Sequence, residues 1–323
     1  MDTDTEGFAQ PWLDFEAEFG QRMLLPTSLG DMMATFTSYG ASMAAKYTLL
    51  PPDTSVTIEN ITTEDGLLVR IYTPKGYKGA RPVCLYYHGG GWAMGDIDGD
   101  DAFSRAISKS GGIVVVSVAY GLAPGNRYSG IMDDCYKGLQ WALRNSEKLN
   151  TAEGKFLTAG TSAGGQLCFG TALRAIDEGL GEKLVGVVAI IPATIHPDGV
   201  PEEMRSQYAA MREHDQHTIN TGGAMRTFWN TFGAPPSDPY ASPLLHLRIK
   251  DLKKVYMCAA SHDTLRDDAL LMKQKLGEAG VPNSFKYHEG YPHFFFAWPS
   301  SKLDQPRKQF YDDLSAGVSF VLS

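Results

Sequence analysis

Cysteine is scarce and scattered. The four residues Cys84, Cys135, Cys168 and Cys258 form no CxxC pair or other metal-ligand spacing, which argues against a zinc module or a disulfide-stapled scaffold. Cys84 and Cys258 lie inside apolar, strand-like runs, so buried free thiols in a reducing compartment are the simplest reading; a cysteine nucleophile is the weaker one, because none stands on a strand-to-helix turn. Basic residues are also in deficit. Lys and Arg number 29 against 37 Asp and Glu, a net charge of −8, and no basic cluster is present that could follow a phosphate backbone, so no nucleic-acid partner is expected. No apolar run reaches the length of a bilayer span, and the opening MDTDTEGFAQ is too acidic and polar for a secretory signal. A cytoplasmic protein with no membrane span is the expectation. Internal repeats and low-complexity tracts are absent.

What the chain does contain is 43% hydrophobic and 20% charged residues over 323 positions, enough for one large core with an added cap. Residues 56–73 alternate polar and apolar around Asp65 and Gly66, the pattern of an antiparallel hairpin. Beyond them come short apolar runs at 83–88, 112–120, 155–160, 184–192, 255–260 and 284–289. Helix-length segments at 131–145, 163–178, 267–278 and 307–322 fall between or after them. Runs buried on both faces that alternate with helices predict an α/β fold built on a mostly parallel sheet, with reactive groups gathered at the C-terminal strand ends. Two regions break the alternation, about 1–50 and about 195–242, and these are read as a cap on a single domain spanning 1–323. A long insertion of this kind is more often functional than idle.

Four motifs stand at predicted strand ends. Gly160, Ser162 and Gly164 in GTSAGG form G-x-S-x-G between a strand and a helix. The small neighbours let the Ser162 hydroxyl project from a sharp turn, and the helix start directs positive partial charge at an anion forming there. Taken alone, Ser162 could equally be an N-cap worth about 1 kcal/mol. His88 to Trp92, HGGGW, ends another strand, and its three glycines allow backbone N–H groups to converge on one point. A plain flexible turn and a phosphate nest are the alternatives, the nest weakened by the lack of a following Lys or a G-x-G-x-x-G pattern. SHDTLRDD places Asp263 where it can orient a histidine, with Asp267 structural at the next helix start. EGYPHFFF places His293 on a loop after the last strand, while His196, His214, His217, His246 and His262 are weaker candidates and His288 is read as a surface or edge residue. The order Ser162, Asp263, His293 is the one that α/β-hydrolases use.

With these motifs the chain resembles the hormone-sensitive-lipase-like group of α/β-hydrolase carboxylesterases. YYHGGGW, VSVAYGLAP, GTSAGGQL, SPLL, HDTLRDDALLMKQKLGEAGVP and YHEGYPHFFF carry the resemblance, over roughly residues 55–323. It implies an α/β-hydrolase fold of about eight strands with helices on both faces and a helical cap. It further implies Ser162 as nucleophile, His293 as general base and acid and Asp263 as its partner. The oxyanion hole would use N–H groups of Gly90, Gly91 and Ala163; His88 and Gly89 would shape the loop, and Trp92 would line its mouth. Several positions depart from the family pattern. Gly121 and Gly125 stand where relatives often carry Arg and Glu, so a salt-bridge scaffold is absent; Thr161 replaces a frequent Asp; Phe294 to Phe296 follow His293 and make the pocket more aromatic. Met32, Met33, Phe36, Phe228, Trp229 and Phe232 would give the cap an apolar, aromatic pocket, or else form its own core.

The implied activity is hydrolysis of soluble short-chain or aromatic esters through an acyl-enzyme, with no cofactor and no metal. The overall resemblance also hints at acetyl esters of secondary metabolism. Acyl transfer, or C–C cleavage, cyclisation or dehydration of a specialised metabolite, is the alternative on the same motifs. A non-enzymatic receptor is a further one, and the retained Ser162, Asp263 and His293 argue against it. A small-molecule ester is the expected partner, and a homodimer is allowed.

Overall fold

The computed structural model describes residues 5–48, 51 and 53–323. Eight strands form one sheet: β1 (Val56–Thr62), β2 (Leu68–Pro74), β3 (Val83–Tyr87), β4 (Val115–Val118), β5 (Phe156–Thr161), β6 (Leu184–Ile190), β7 (Val255–Ala260) and β8 (Asn283–His288), in the order β1-β2-β4-β3-β5-β6-β7-β8. β1 and β2 form the expected hairpin, with Thr62 opposite Leu68, and Gly66 supplies the positive φ of 78° that its turn requires. β2 also runs antiparallel to β4, whereas β3 to β8 are parallel. The central strands β3, β4, β5 and β7 are buried at every residue. That burial explains why they read as unbroken apolar runs rather than alternating ones.

The helices are α1 (Gln10–Phe19), α2 (Leu29–Lys46), α3 (Asp101–Gly111), α4 (Tyr128–Arg144), α5 (Ala163–Ala175), α6 (Ala210–Glu213), α7 (Gly222–Phe232), α8 (Arg266–Glu278) and α9 (Asp304–Leu322). α3 packs with α9, and α9 lies on β6 and β7; α4 packs with α5, which lies on β5 and β6. α3 follows the acidic GDIDGDD stretch and was not among the segments expected to be helical. Its apolar anchors Phe103 and Ile107 are buried four residues apart, a spacing that marks one helical face.

The two regions outside the alternation meet each other. Leu25 N–H donates to Ile219 O (2.9 Å), Thr221 Oγ1 donates to Leu25 O (3.0 Å), and α2 packs on α7. Residues 1–4, 49 and 50 of the expected N-terminal part lie outside the described residues. The four cysteines are buried and unpaired. No described helix is long and apolar enough to cross a membrane.

The G-x-S-x-G glycines answer to close backbone approach. A Cβ on Gly164 would lie 2.0 Å from Tyr87 O, and one on Gly160 would lie 2.1 Å from Gly164 O. These contacts are backbone and cannot yield, so Gly164→Ala should cost several kcal/mol, in the range of severe core substitutions. Gly40, by contrast, sits inside exposed α2 with nothing within 4 Å of its missing Cβ, and Gly40→Ala should stabilise by about 0.5–1 kcal/mol. Thermal unfolding of the two variants should therefore move in opposite directions.

Candidate active site

Ser162 joins β5 to α5 with φ 57° and ψ −117°, a conformation that a side-chain-bearing residue adopts only under strain. Its backbone is fastened on both sides: its N–H donates to Ile190 O (2.8 Å), while its carbonyl accepts from Gly165 N–H (2.9 Å) and Ala193 N–H (3.2 Å). The hydroxyl is thereby fixed at the C-terminal edge of the sheet. Asp263 comes from the turn after β7 and His293 from the loop after β8. With the ring proton on Nδ1, His293 donates to Asp263 Oδ2 (2.6 Å) and its Nε2 accepts from Ser162 Oγ (3.0 Å). The three residues that sequence order singled out thus form one continuous hydrogen-bonded line. They are 6%, 4% and 1% exposed for Ser162, His293 and Asp263.

The loop after β3 is shaped by its glycines. Gly90 has φ 118° and a Cβ there would strike Met94 O at 2.1 Å, while Gly91 has φ 60° and would strike the Phe228 ring at 2.4 Å. The N–H groups of Gly90, Gly91 and Ala163 meet no acceptor among the described residues, and Ala163 opens α5, where the helix dipole adds positive partial charge. Gly89 N–H is used differently: it donates to Asp100 Oδ2 (3.0 Å), which also accepts from Tyr86 OH (2.7 Å). Tyr86 OH in turn bonds Thr161 Oγ1 (2.6 Å). Asp100 thus ties the glycine loop to the elbow through the residue where relatives often carry Asp. His88 turns its Nδ1 to Gly89 O (2.7 Å) and stacks on Tyr120 (4.2 Å between ring centres); burial lowers its pKa. Where an Arg–Glu scaffold is absent, Asp134 Oδ2 accepts from Gly121 N–H (3.1 Å) and Asn126 Nδ2 (3.0 Å), and Ala123 N–H holds Trp92 O (2.9 Å).

A cavity of about 120 Å³ opens beside Ser162 and His293, walled by Leu25, Phe36, Ile219, Met225, Phe228 and Phe294 among others. Phe36, 44% exposed, stands at its open side. Two expected pocket residues are not in its wall. Trp92, at φ 60°, is absent from the wall; its ring stacks on Phe232 (4.4 Å) and its Nε1 donates to Gln166 Oε1 (2.8 Å). Trp229 is 1% exposed and packs against Trp92 (4.3 Å). Both belong to a buried aromatic core shared with Phe232 of α7, and Met32 is likewise buried and outside the cavity wall. Met33 is half-exposed and outside the cavity wall.

The remaining histidines lie elsewhere. His214, His217 and His262 cluster with ring centres 5.2–5.9 Å apart; burial, then the Arg266 guanidinium, lowers His214 to about 4. His196 packs on Trp229, and His246 bonds Asp177 (3.1 Å). His288, expected at a surface or edge, is instead buried against Phe295 and Phe310, and burial brings it down to about 4. Among the described residues no group of three or more His, Cys, Asp or Glu could hold a metal ion. Sequence reasoning missed Asp100, Thr218 and Asn220. Thr218 Oγ1 accepts His293 N–H (2.8 Å), and Asn220 Nδ2 donates to Asp263 Oδ1 (3.2 Å). Short polar residues in a long insertion without periodicity carry no sequence signal for such bonds.

Burial raises Asp100 to about 6, above the ordinary aspartate value of about 3.8. An acid raised on folding binds more protons folded than unfolded between those values, so its contribution to stability falls as pH rises through that window, by about 3 kcal/mol in all. Asp100→Asn removes the ionisation but retains an acceptor. Its Tm relative to the parent should rise between about pH 4 and pH 6 and level off above; a difference that stays flat across the window would show that Asp100 does not titrate there.

A family model described as the α/β-hydrolase fold matches residues 84–297. The versiconal hemiacetal acetate esterase of Aspergillus parasiticus is 41% identical over 315 residues, covering 97% of this chain and 98% of that protein. The enzyme of the same name from Emericella nidulans is 40% identical over 86% of this chain and 96% of its own length. Among solved structures, vibralactone cyclase superposes with a TM-score of 0.85 at 25% identity, over 100% of this chain and 97% of that one. Matched by fold, by strand-end chemistry and by relatives along nearly its whole length, the chain belongs to the α/β-hydrolase family.

Proposed function

We propose that the protein is a carboxylesterase-type serine hydrolase that cleaves small soluble esters through an acyl-enzyme, with short acyl groups, acetyl above all, preferred. The observation that carries this is the line Asp263–His293–Ser162, with separations of 2.6 and 3.0 Å at the wall of an apolar cavity. Relatives at 41% and 40% identity are named for an acetate ester, and a cavity of about 120 Å³ suits a short acyl chain. The phenyl rings of Phe228 and Phe294 favour an aromatic or polycyclic partner of the kind found among specialised metabolites. The N-terminal helices and residues 195–242 act as the cap over this site. Four buried thiols suit a cytoplasmic enzyme, working as a monomer or a homodimer.

In the proposed cycle Ser162 Oγ loses its proton to His293 Nε2 as it attacks the ester carbonyl. The carbonyl electrons move onto oxygen, and the N–H groups of Gly90, Gly91 and Ala163 receive that oxyanion; one such donor is typically worth about 3–4 kcal/mol of the barrier. Asp263 keeps the imidazole in the required tautomer and stabilises it when protonated. Collapse expels the alcohol, which takes the proton from Nε2. Water then repeats the attack on the acyl-Ser162 with His293 as base, releasing the acid and the free serine.

Intact mass after exposure to a small fluorophosphonate should show one adduct on the parent and none on Ser162→Ala. On a p-nitrophenyl ester series the parent should favour acetyl over long acyl chains, and His293→Ala should lower kcat roughly 10⁶-fold with the fold intact. A folded parent that takes no adduct would sink the hydrolase reading.

A further inference from the structure

Among the described residues, the hydrogen bonds that steady the His293–Asp263 pair from the cap side end on residues 218–220. Thr218 Oγ1 accepts His293 N–H (2.8 Å) and donates to Asn220 Oδ1 (2.9 Å). An ionised carboxylate only accepts, so the contact with Asp263 Oδ1 (3.2 Å) fixes which end of the Asn220 amide is Nδ2 and leaves Oδ1 to accept from Thr218. Thr264, next to Asp263, closes the circuit by donating from Oγ1 to Asn220 O (2.8 Å). Thr218, Asn220 and Thr264 are 1%, 4% and 0% exposed, so no solvent competes with these bonds.

Two residues of the 218–220 stretch also face the cavity. Ile219 and Asn220 line it, and Ile219 O holds Leu25, another lining residue, by its N–H (2.9 Å). The stretch thus touches the space a substrate would fill on one side and the acid–base pair on the other.

We propose, resting on the serine-hydrolase reading above, that Thr218 and Asn220 are positioning residues of the triad: a cap segment that walls the pocket also sets the orientation and charge of Asp263 and the seat of His293. Asn220 holds the Asp263 carboxylate in the plane that meets His293 Nδ1 and draws part of its negative charge away. Thr218 fixes the backbone from which the imidazole projects. Neither touches the reacting atoms, and no bond to either is made or broken in the cycle.

The test is steady-state kinetics across pH on p-nitrophenyl acetate, with active sites counted by fluorophosphonate. Asn220→Ala should lower kcat roughly 10-fold or more, the scale of a lost bond to a buried charged group, with KM little changed. Its acid limb should move to higher pH, because a carboxylate relieved of its donor holds the protonated imidazole more tightly. Asn220→Asp should work best at low pH, where the new carboxyl is protonated and can donate, and should lose activity as pH rises and two like charges face each other. Thr218→Val should lower kcat, and Thr218→Ser should restore it; this pair decides the matter if Asn220→Ala does not fold. Parent-like kcat and acid limb in folded Asn220→Ala and Thr218→Val would overturn the proposal, as would a loss confined to KM, the sign of a pocket wall alone. Failure of the hydrolase reading itself is seen separately, as absence of the Ser162 adduct on the parent.

Discussion

The strained backbone of Ser162 is the constraint from which the rest of the site follows. A residue at φ 57° and ψ −117° is held at a cost of order 1–3 kcal/mol and persists only where its surroundings over-determine it. Here β6 and the segment after it take its N–H and share its carbonyl. Gly160 and Gly164 let the backbone at Tyr87 and His88 pass where a Cβ would stand. That approach sets the start of the glycine loop directly against the elbow. Asp100, bonded to Gly89 N–H and linked by Tyr86 to Thr161, then locks the loop to the turn. The placement of the loop's free N–H groups against the Ser162 turn is thus set by main-chain packing and fastened by three buried side chains.

One short stretch after β7 organises both halves of the site. Asp263 faces His293, while four and five residues on, Asp267 and Asp268 turn the other way. Asp267 Oδ2 accepts from Ala209 N–H and Ala210 N–H (2.7 Å each), and Asp268 Oδ1 accepts from Thr194 N–H (2.8 Å) and Ile195 N–H (3.1 Å). These bonds pin the root of the 195–242 segment to the first turn of α8. Burial raises Asp268 to about 7, so the anchor is a carboxyl that burial drives toward the neutral state. The structural part read for Asp267 from its place at a helix start therefore extends to fastening the segment that reaches back, through Asn220, to Asp263 itself.

Legibility in the sequence followed backbone demand. The hairpin, the buried strands and the elbow were readable because each requires a residue pattern: alternation about Asp65–Gly66, unbroken apolar runs, glycines two residues either side of Ser162. α3 was not, since its acidic lead-in hides the Phe103–Ile107 face behind a surface-like composition. α4 begins at Tyr128 rather than near Ile131, because the preceding GLAPGNR turn masks the first helical residues. Trp92 comes to the pocket by resemblance and Trp229 by its place in the insertion, yet tertiary packing decides side-chain direction, and the Trp92 ring meets Gln166 and Phe232 instead. Polar contacts that cross from the insertion to the sheet, such as Thr218 to His293, have no periodicity to announce them.

Burial explains why Asp263 needs so many partners. At 1% exposure a carboxylate without donors would be driven toward its neutral form, and a neutral Asp263 could not stabilise a protonated His293. Its Oδ1 accepts from Leu265 N–H (3.0 Å) and Asn220 Nδ2, and its Oδ2 from His293, so three donors stand in for the lost water. The same exclusion of water that makes those donors necessary strengthens whatever charge pairing they permit, since hydrogen bonds and ion pairs gain as the effective dielectric falls. In the proposed cycle an apolar cavity around Ser162 is therefore compatible with chemistry that builds charge only because every charge would have a prepared partner: an N–H group of Gly90, Gly91 or Ala163 for the oxyanion, Asp263 for the imidazolium, and Asn220 for Asp263.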